Sequence, residues 1–170
     1  MHYRIIVRKF TSFAAYSSRY KLSLLQRAFV IPYFAAQSIL DPTRGDMVAG
    51  LGDALVCRKT LQEIKVKMEE TSSGRELLLN KPLITSKSLD LPRLRLLPSN
   101  TLGHAYAQYV DDHGFSADER DTVRFIQDAG LAYVVARYRQ VHDFWHILCD
   151  LPPTETGELA LKMFEYRHVH

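Results

Sequence analysis

With 170 residues, 46% of them hydrophobic and 24% charged, the chain is long enough to bury one core of ordinary size and too apolar to be disordered. Cys57 and Cys149 form no CxxC pair and make no disulfide scaffold, so free thiols in a reducing compartment are expected. The net charge of +3 is unevenly spread: six of the 22 basic residues precede Asp41, the first acidic one, and the remaining 16 accompany 19 acidic residues, a net of −3. Nucleic-acid binding is thereby excluded, because phosphate neutralisation needs Lys and Arg clustered on the folded body.

Residues 1–20 carry Arg4, Arg8, Lys9 and Arg19 among Ser, Thr and bulky apolar residues, with no acid. This cationic amphipathic composition predicts a mitochondrial transit peptide, since Arg8 and Lys9 interrupt the apolar stretch that a secretory signal needs. A plain basic tail on a cytosolic chain is the alternative. The folded domain is expected over residues 21–170. Residues 22–40 repeat apolar side chains at helical spacing and stop at Asp41-Pro42, where proline disfavours helix in the residue before it. Arg27, Pro32 and Gln37 inside this stretch argue against a membrane span. A core helix is expected there, with a membrane-surface helix as the alternative.

Residues 45–53 hold three glycines without the Gly-Lys-Ser/Thr of a phosphate loop and predict a closely packed helix or a turn. Residues 60–70 and 74–80 predict two helices, the second ending at Pro82. Pro82, Pro92 and Pro98 make residues 85–98 a connection holding about a turn of helix. Residues 101–113 predict a helix closed by Gly114, whose Asp111, Asp112 and His113 read as a solvated helix end and not as metal ligands. Residues 116–124 predict another helix, with Ser116 as N-cap and Glu119 in the reciprocal capping position. The longest helix is expected over residues 129–150, and a last one from Thr154 onward, after Leu151-Pro152-Pro153. No segment alternates at period two long enough for a sheet, so the fold class is all-α, a single helical domain.

Chemistry concentrates in the longest helix, at His142-Asp143-Phe144-Trp145-His146. His142 and His146 are four residues apart, which sets both imidazoles on one face about 6 Å from each other. Asp143 joins them within an arc of roughly 100°. His146 and Glu158 are centred on Pro152, the middle of the expected turn. In an antiparallel helix hairpin, Glu158 therefore faces His146 across a helix spacing of about 8–10 Å, within reach of a shared ion. Two imidazoles and two carboxylates suit a divalent first-row metal, with Zn²⁺ the expected ion, and suit Ca²⁺ poorly. The plain alternative is two polar histidines beside the core. A zincin would carry Glu where Asp143 stands. A di-iron bundle would pair Asp143/His146 with Glu165/His168, but only two helices supply that pattern. A His-Asp phosphohydrolase would need a further upstream His and a downstream Asp, and His104, His113 and Asp150 lack persuasive spacing.

The pattern HDxxH, eleven residues, Glu, formed by His142, Asp143, His146 and Glu158, resembles the hallmark of the ubiquinone (coenzyme Q) biosynthesis protein 4 family of mitochondria and proteobacteria. The resemblance extends to LDPTRGDMVAGLGD (40–53), LRLLPSNTLGHAYAQYVDDHGFSADERDTVRFIQD (94–128) and LAYVVARYRQVHDFWHILCDLPPTETGELALKMFE (131–165), and covers about residues 24 to 165. Gly130 stands where the family pattern has an acidic residue, and Asp150 where it has glycine. Family members continue beyond the KMFE segment into further helices, so the resemblance implies a domain incomplete at its C-terminus.

What the resemblance implies is a peripheral protein on the matrix side of the mitochondrial inner membrane. Its partners would be the other enzymes of the coenzyme Q biosynthetic complex, a polyprenylated quinone precursor, the membrane surface and other copies of itself. The implied reaction removes the carboxyl group of a polyprenylated 4-hydroxy-3-methoxybenzoate intermediate, with or without oxidation. Arg139, one turn before His142, is a candidate for holding the substrate carboxylate. Residues 22–40 and Val134, Tyr138 and Val141 are candidate walls for the lipid tail. The competing expectation is a non-catalytic scaffold in which the metal staples the hairpin. An open coordination position favours catalysis, whereas closure by all four motif residues favours the structural role.

Overall fold

The computed structural model describes residues 21–41 and 44–169; the transit peptide expected over residues 1–20 lies outside them. The all-helical expectation holds: the described residues form nine α-helices and no strand. They are α1 (Leu24–Leu40), α2 (Gly45–Leu55), α3 (Arg58–Glu70), α4 (Ser72–Asn80), α5 (Ser86–Leu89), α6 (Leu91–Arg95), α7 (Leu102–His113), α8 (Ala129–Leu148) and α9 (Glu155–Val169).

Helix α1 starts at a reciprocal cap between Ser23 and Gln26 and ends at Asp41. It lies along α2, and the contact depends on Gly50: a Cβ there would sit 2.7 Å from the ring of Phe34, the buried side chain of α1. Residues 45–53 thus belong to a helix that is closely packed at Gly50. Core burial was the expectation for residues 22–40, and this is corrected. Leu24, Leu25, Phe29, Tyr33, Ile39 and Leu40 are all exposed, because α1 rides on α2 at the margin of the fold. None of the described helices is long and apolar enough to cross a membrane.

The core forms around the first half of α8, where Leu131, Ala132, Tyr133, Val134, Val135 and Ala136 are consecutive and buried. A helix buried on all sides in this way needs neighbours on all sides. Helices α3 and α4 supply them, with Leu61 of α3 and Val123 and Ile126 of the preceding loop closing the cluster, while α7 meets α8 further along, at Phe144 and His146. Asp128 caps α8 by accepting from the N–H groups of Gly130 and Leu131. An ideal Cβ at position 130 would lie 3.1 Å from Asp128 Oδ1 and 3.3 Å from Lys65 Cε, so a side chain there would crowd the cap of α8.

The helix expected over residues 116–124 does not form, because long-range bonds replace its internal ladder. Ser116 and Glu119 still make a local turn, with the Asp118 N–H donating to Ser116 Oγ at 3.2 Å. Asp118, however, accepts from the N–H and hydroxyl of Ser86, and the Arg124 N–H donates to Asp53 at 2.8 Å. Phe125 then adopts a left-handed backbone with φ of 62°. Asp150, after α8, is also left-handed at φ 52°, a conformation that glycine adopts without the Cβ penalty.

Candidate metal centre

Helix α8 changes character past Gln140, from a buried stem to a face carrying His142, Asp143 and His146. The turn that follows is fixed to the second histidine from both directions. The Leu151 N–H donates to the His146 carbonyl at 2.9 Å, and His146 Nδ1 reaches the Leu151 carbonyl at 2.9 Å. Thr154 then starts α9, its hydroxyl accepting from the Gly157 N–H. A Cβ at Gly157 would lie 1.9 Å from the Pro152 carbonyl oxygen, so glycine is required for so close a turn. One residue further, Glu158 in the first turn of α9 points back at α8.

Glu158 Oε1 lies 3.0 Å from His146 Nε2, and Oε2 lies 3.2 Å from His142 Nε2. The two Nε2 atoms are 3.2 Å apart, with the rings nearly perpendicular. One ligand atom from each of His142, His146 and Glu158 falls within 4.8 Å of the others, making the metal-sized group found among the described residues. His146 is 1% exposed. Because the Leu151 carbonyl can only accept, Nδ1 of His146 carries a proton, and in that tautomer Nε2 presents a lone pair. That lone pair faces a carboxylate and a second imidazole nitrogen. Such an arrangement repels itself unless a proton or a cation lies between the atoms, so the donor set fits a divalent ion.

Without metal, His142 supplies the positive charge. Burial opposes protonation, but hydrogen bonds to Glu158 and Glu165 outweigh it and raise the imidazole pKa to about 9. Glu158 is correspondingly held below the ordinary carboxylate value, first by its hydrogen bond to His142. Glu165 lies two turns beyond Glu158 on α9 and meets the other nitrogen, Nδ1, of His142 at 2.9 Å. Burial pushes the Glu165 carboxyl up, yet hydrogen bonds from His142, Lys162 and Tyr138 bring it down to about 2.

Asp143 is directed elsewhere. It forms an ion pair with Arg120 at 2.5 Å, while lining the same cleft as His142, His146 and Glu158. Arg120 also bonds the Ala117 and Ile84 carbonyls and the Tyr106 hydroxyl, so the loop that displaced a helix supplies this partner. Tyr109 stacks beside His146, with ring centroids 6.0 Å apart, and the cleft encloses about 260 Å³. Burial, and then the charges of Asp143 and Glu158, raise the Tyr109 phenol above its ordinary value. Asp111 of the α7 end is bound by Arg95, and His113 Nδ1 meets the Tyr109 carbonyl, in keeping with a helix end.

Arg139 does not reach the cleft. Its guanidinium is bound to the buried carboxylate of Asp53 at 2.7 Å and to the Ala49 carbonyl at 2.9 Å, which ties α2 to α8. Burial raises the Asp53 carboxyl, and Arg139 counteracts it. A second cavity, of about 320 Å³, lies between α2, α3, α8 and α9. Val56, Leu61, Ile64, Val134 and Tyr138 line it, with Lys162 and Glu165 at its polar side, whereas Val141 and α1 do not. Glu165, Tyr138, Lys162 and Arg120 carry the surroundings of the candidate ligands, and the motif spacing does not signal them. In the sequence Glu165 reads as half of a di-iron pattern; its i+7 offset from Glu158, which repeats one helix face, is the signal that fits its observed place.

Residues 16–170 match the model of the family described as coenzyme Q (ubiquinone) biosynthesis protein Coq4. The chain is 42% identical over 151 residues to the mitochondrial ubiquinone biosynthesis protein COQ4 of Phaeosphaeria nodorum, covering 89% of this chain and 52% of that protein. The protein of the same name from Schizosaccharomyces pombe is 43% identical over 152 residues, with 89% and 56% covered. That of Pyrenophora tritici-repentis is 46% identical over 129 residues, with 76% and 45% covered. The chain thus spans about half the length of the curated relatives it matches. The match across nearly all the folded residues places this chain in the Coq4 family of coenzyme Q biosynthesis proteins.

Proposed function

We propose that this chain takes part in coenzyme Q biosynthesis as a metal-dependent carboxy-lyase, acting on a polyprenylated 4-hydroxy-3-methoxybenzoate intermediate. The observation that carries the reading is the convergence of His142, His146 and Glu158 beside a cleft in which Asp143 is held back by Arg120. Catalytic zinc sites use three protein ligands, two His and one Glu among the known sets, and keep one position for water or substrate. Asp143, the fourth motif residue, would have to leave its ion pair with Arg120 to complete the coordination. A Zn²⁺ ion or a similar divalent metal would act there as a Lewis acid toward the substrate carboxylate or phenolate. The bond from the ring to the carboxyl carbon breaks, carbon dioxide leaves, and the ring carbon keeps the electron pair. That carbon then takes a proton in a simple decarboxylation, or one oxygen atom of O₂ in an oxidative one, in which a two-electron donor reduces the other atom to water. Tyr109 and Arg120 frame the cleft, and the apolar cavity on the far side of His142 suits an isoprenoid tail.

Names of the relatives that include the word mitochondrial, and the acid-free leader, support a mitochondrial location. The exposed apolar side of α1 supports peripheral attachment to the matrix face of the inner membrane. It equally favours a second reading, a scaffold that recruits lipid, other enzymes of the pathway or a second copy, with the metal serving structure. The deciding experiment expresses the chain from residue 21 onward in cells lacking their own family member, assays carboxyl loss from the prenylated hydroxybenzoate, and quantifies bound metal. Metal-dependent turnover that disappears in His142→Ala is expected. Bound metal without turnover, where a full-length relative turns over under the same conditions, overturns the enzymatic reading for this chain.

A further inference from the structure

His142 faces Glu158 and His146 through Nε2, so Nδ1 points away from the candidate metal position. At Nδ1, 2.9 Å away, stands Oε1 of Glu165, which is 5% exposed. The other oxygen of that carboxylate is not free to turn. It accepts from the Tyr138 hydroxyl and from Lys162 Nζ at 2.8 Å, and Lys162 also bonds the Tyr138 oxygen at 2.9 Å. A buried carboxylate pinned by two donors on one oxygen presents its second oxygen in one direction only.

The geometry points to Glu165 as the positioning residue of the centre, holding His142 as the Nδ1–H tautomer so that Nε2 is left to bind metal. This rests on the metal reading given above. An imidazole that donates to a carboxylate is oriented and made more basic at its other nitrogen, and losing such a partner typically weakens metal binding by about 10–100-fold. His146 obtains the same service from the Leu151 carbonyl. The two ligands therefore differ: one is oriented by neutral backbone, the other by a charged side chain that also forms part of the wall of the apolar cavity.

The test titrates Zn²⁺ and Co²⁺ into the metal-free chain, its Glu165→Ala and Glu165→Gln variants, and Glu158→Ala as a ligand-loss reference. Glu165→Ala is expected to weaken Zn²⁺ binding by about 10–100-fold and to change the visible Co²⁺ bands, while Glu165→Gln, which keeps an acceptor for Nδ1, loses less. Equal affinity and an unchanged Co²⁺ spectrum in Glu165→Ala, with binding lost in Glu158→Ala, overturn the inference and leave the metal site standing. Should Glu165→Ala not fold, the imidazole ¹⁵N shifts of the zinc-loaded original chain decide. His142 protonated at Nδ1 and bound through Nε2 is expected, and the opposite arrangement overturns the proposal. Absence of metal uptake by the original chain overturns both this inference and the reading beneath it.

Discussion

At the residue scale, the pair His142–Glu165 makes the metal-free protein sensitive to pH in a defined direction. The His142 pKa is raised to about 9 in the folded chain, above the ordinary imidazole value. Its contribution to stability is therefore complete below the unfolded pKa of about 6.5 and lost as pH rises through 9. The Glu165 pKa is lowered to about 2, so the acid limb is complete above the unfolded value of about 4.5 and lost as pH falls through 2. Both shifts describe one interaction, with Glu158 assisting and Lys162 opposing the His142 charge, and are counted once at on the order of 2 kcal/mol. Thermal unfolding in chelator is expected to show a plateau between about pH 4.5 and 6.5 and a falling melting temperature toward pH 9. In His142→Asn the alkaline fall should flatten. An unchanged fall in that variant would locate the titration elsewhere. With saturating zinc, which would take the place of the His142 proton if that ring is a ligand, the alkaline fall is expected to weaken as well.

At the element scale, the hairpin of α8 and α9 sets the register, and its turn is the narrowest tolerance in the site. Gly157 packs against the Pro152 carbonyl one residue before Glu158. Gly157→Ala would place a methyl group against backbone that cannot turn aside, so the start of α9 must shift. A loss of roughly 1–3 kcal/mol in unfolding free energy is expected, the range for overpacking a tight position. A larger effect is expected on zinc affinity, because Glu158 moves with the helix. Chemical denaturation and zinc titration of the same variant check this, and full zinc affinity in a destabilised chain would separate the turn from the site.

The sequence carried this hairpin because its information is local: 3.6-residue periodicity, a double proline, and a His–Glu offset symmetric about Pro152. The glycine stop at Gly114 was legible for the same reason, whereas the caps at Ser23, Thr101 and Asp128 emerged only in the structure. Residues 116–124 misled because a capping box satisfies only two donors, while Asp53, Ser86 and Asp143 draw the same segment into bonds across the fold. Nothing in local spacing reveals such partners. Arg139 misled likewise: one turn before His142 is close in sequence, but its side chain lies on the α2 side of α8 and neutralises Asp53. Glu165 was visible as a carboxylate of a di-iron pattern, and the fold gives it the back of His142 instead of a second metal.

At the scale of the whole molecule, the core and the cleft lie around α8, and α1 stands apart in character. Its exposed side presents Leu25 and Phe29 one turn apart, Phe29 at 77% exposure; Lys21 stands just before the helix, Arg27 lies half-buried on its inner side near Phe125, and no acidic residue lies within it. A helix too short of apolar residues to span a bilayer, yet apolar on its outer side and cationic at its start, is suited to the boundary between headgroups and acyl chains. The attraction then has two parts with different signatures. Burying two large side chains is worth about 1.5–3 kcal/mol each and is insensitive to salt, while each cation near an anionic surface adds about 1 kcal/mol that salt screens. The chain from residue 21 onward is expected to co-sediment with vesicles containing cardiolipin. Leu25→Ser together with Phe29→Ser should weaken binding on the order of 10-fold or more at any ionic strength. Lys21→Gln with Arg27→Gln should weaken it mainly at low salt. Leu25 and Phe29 are exposed, and Lys21 and Arg27 reach only the edge of the core beside Leu61 and Leu131, so helix content and zinc affinity serve as internal controls in the same samples. Binding unchanged by the double serine variant, with those controls intact, would assign the apolar side of α1 to a protein partner and move membrane attachment to another part of the chain.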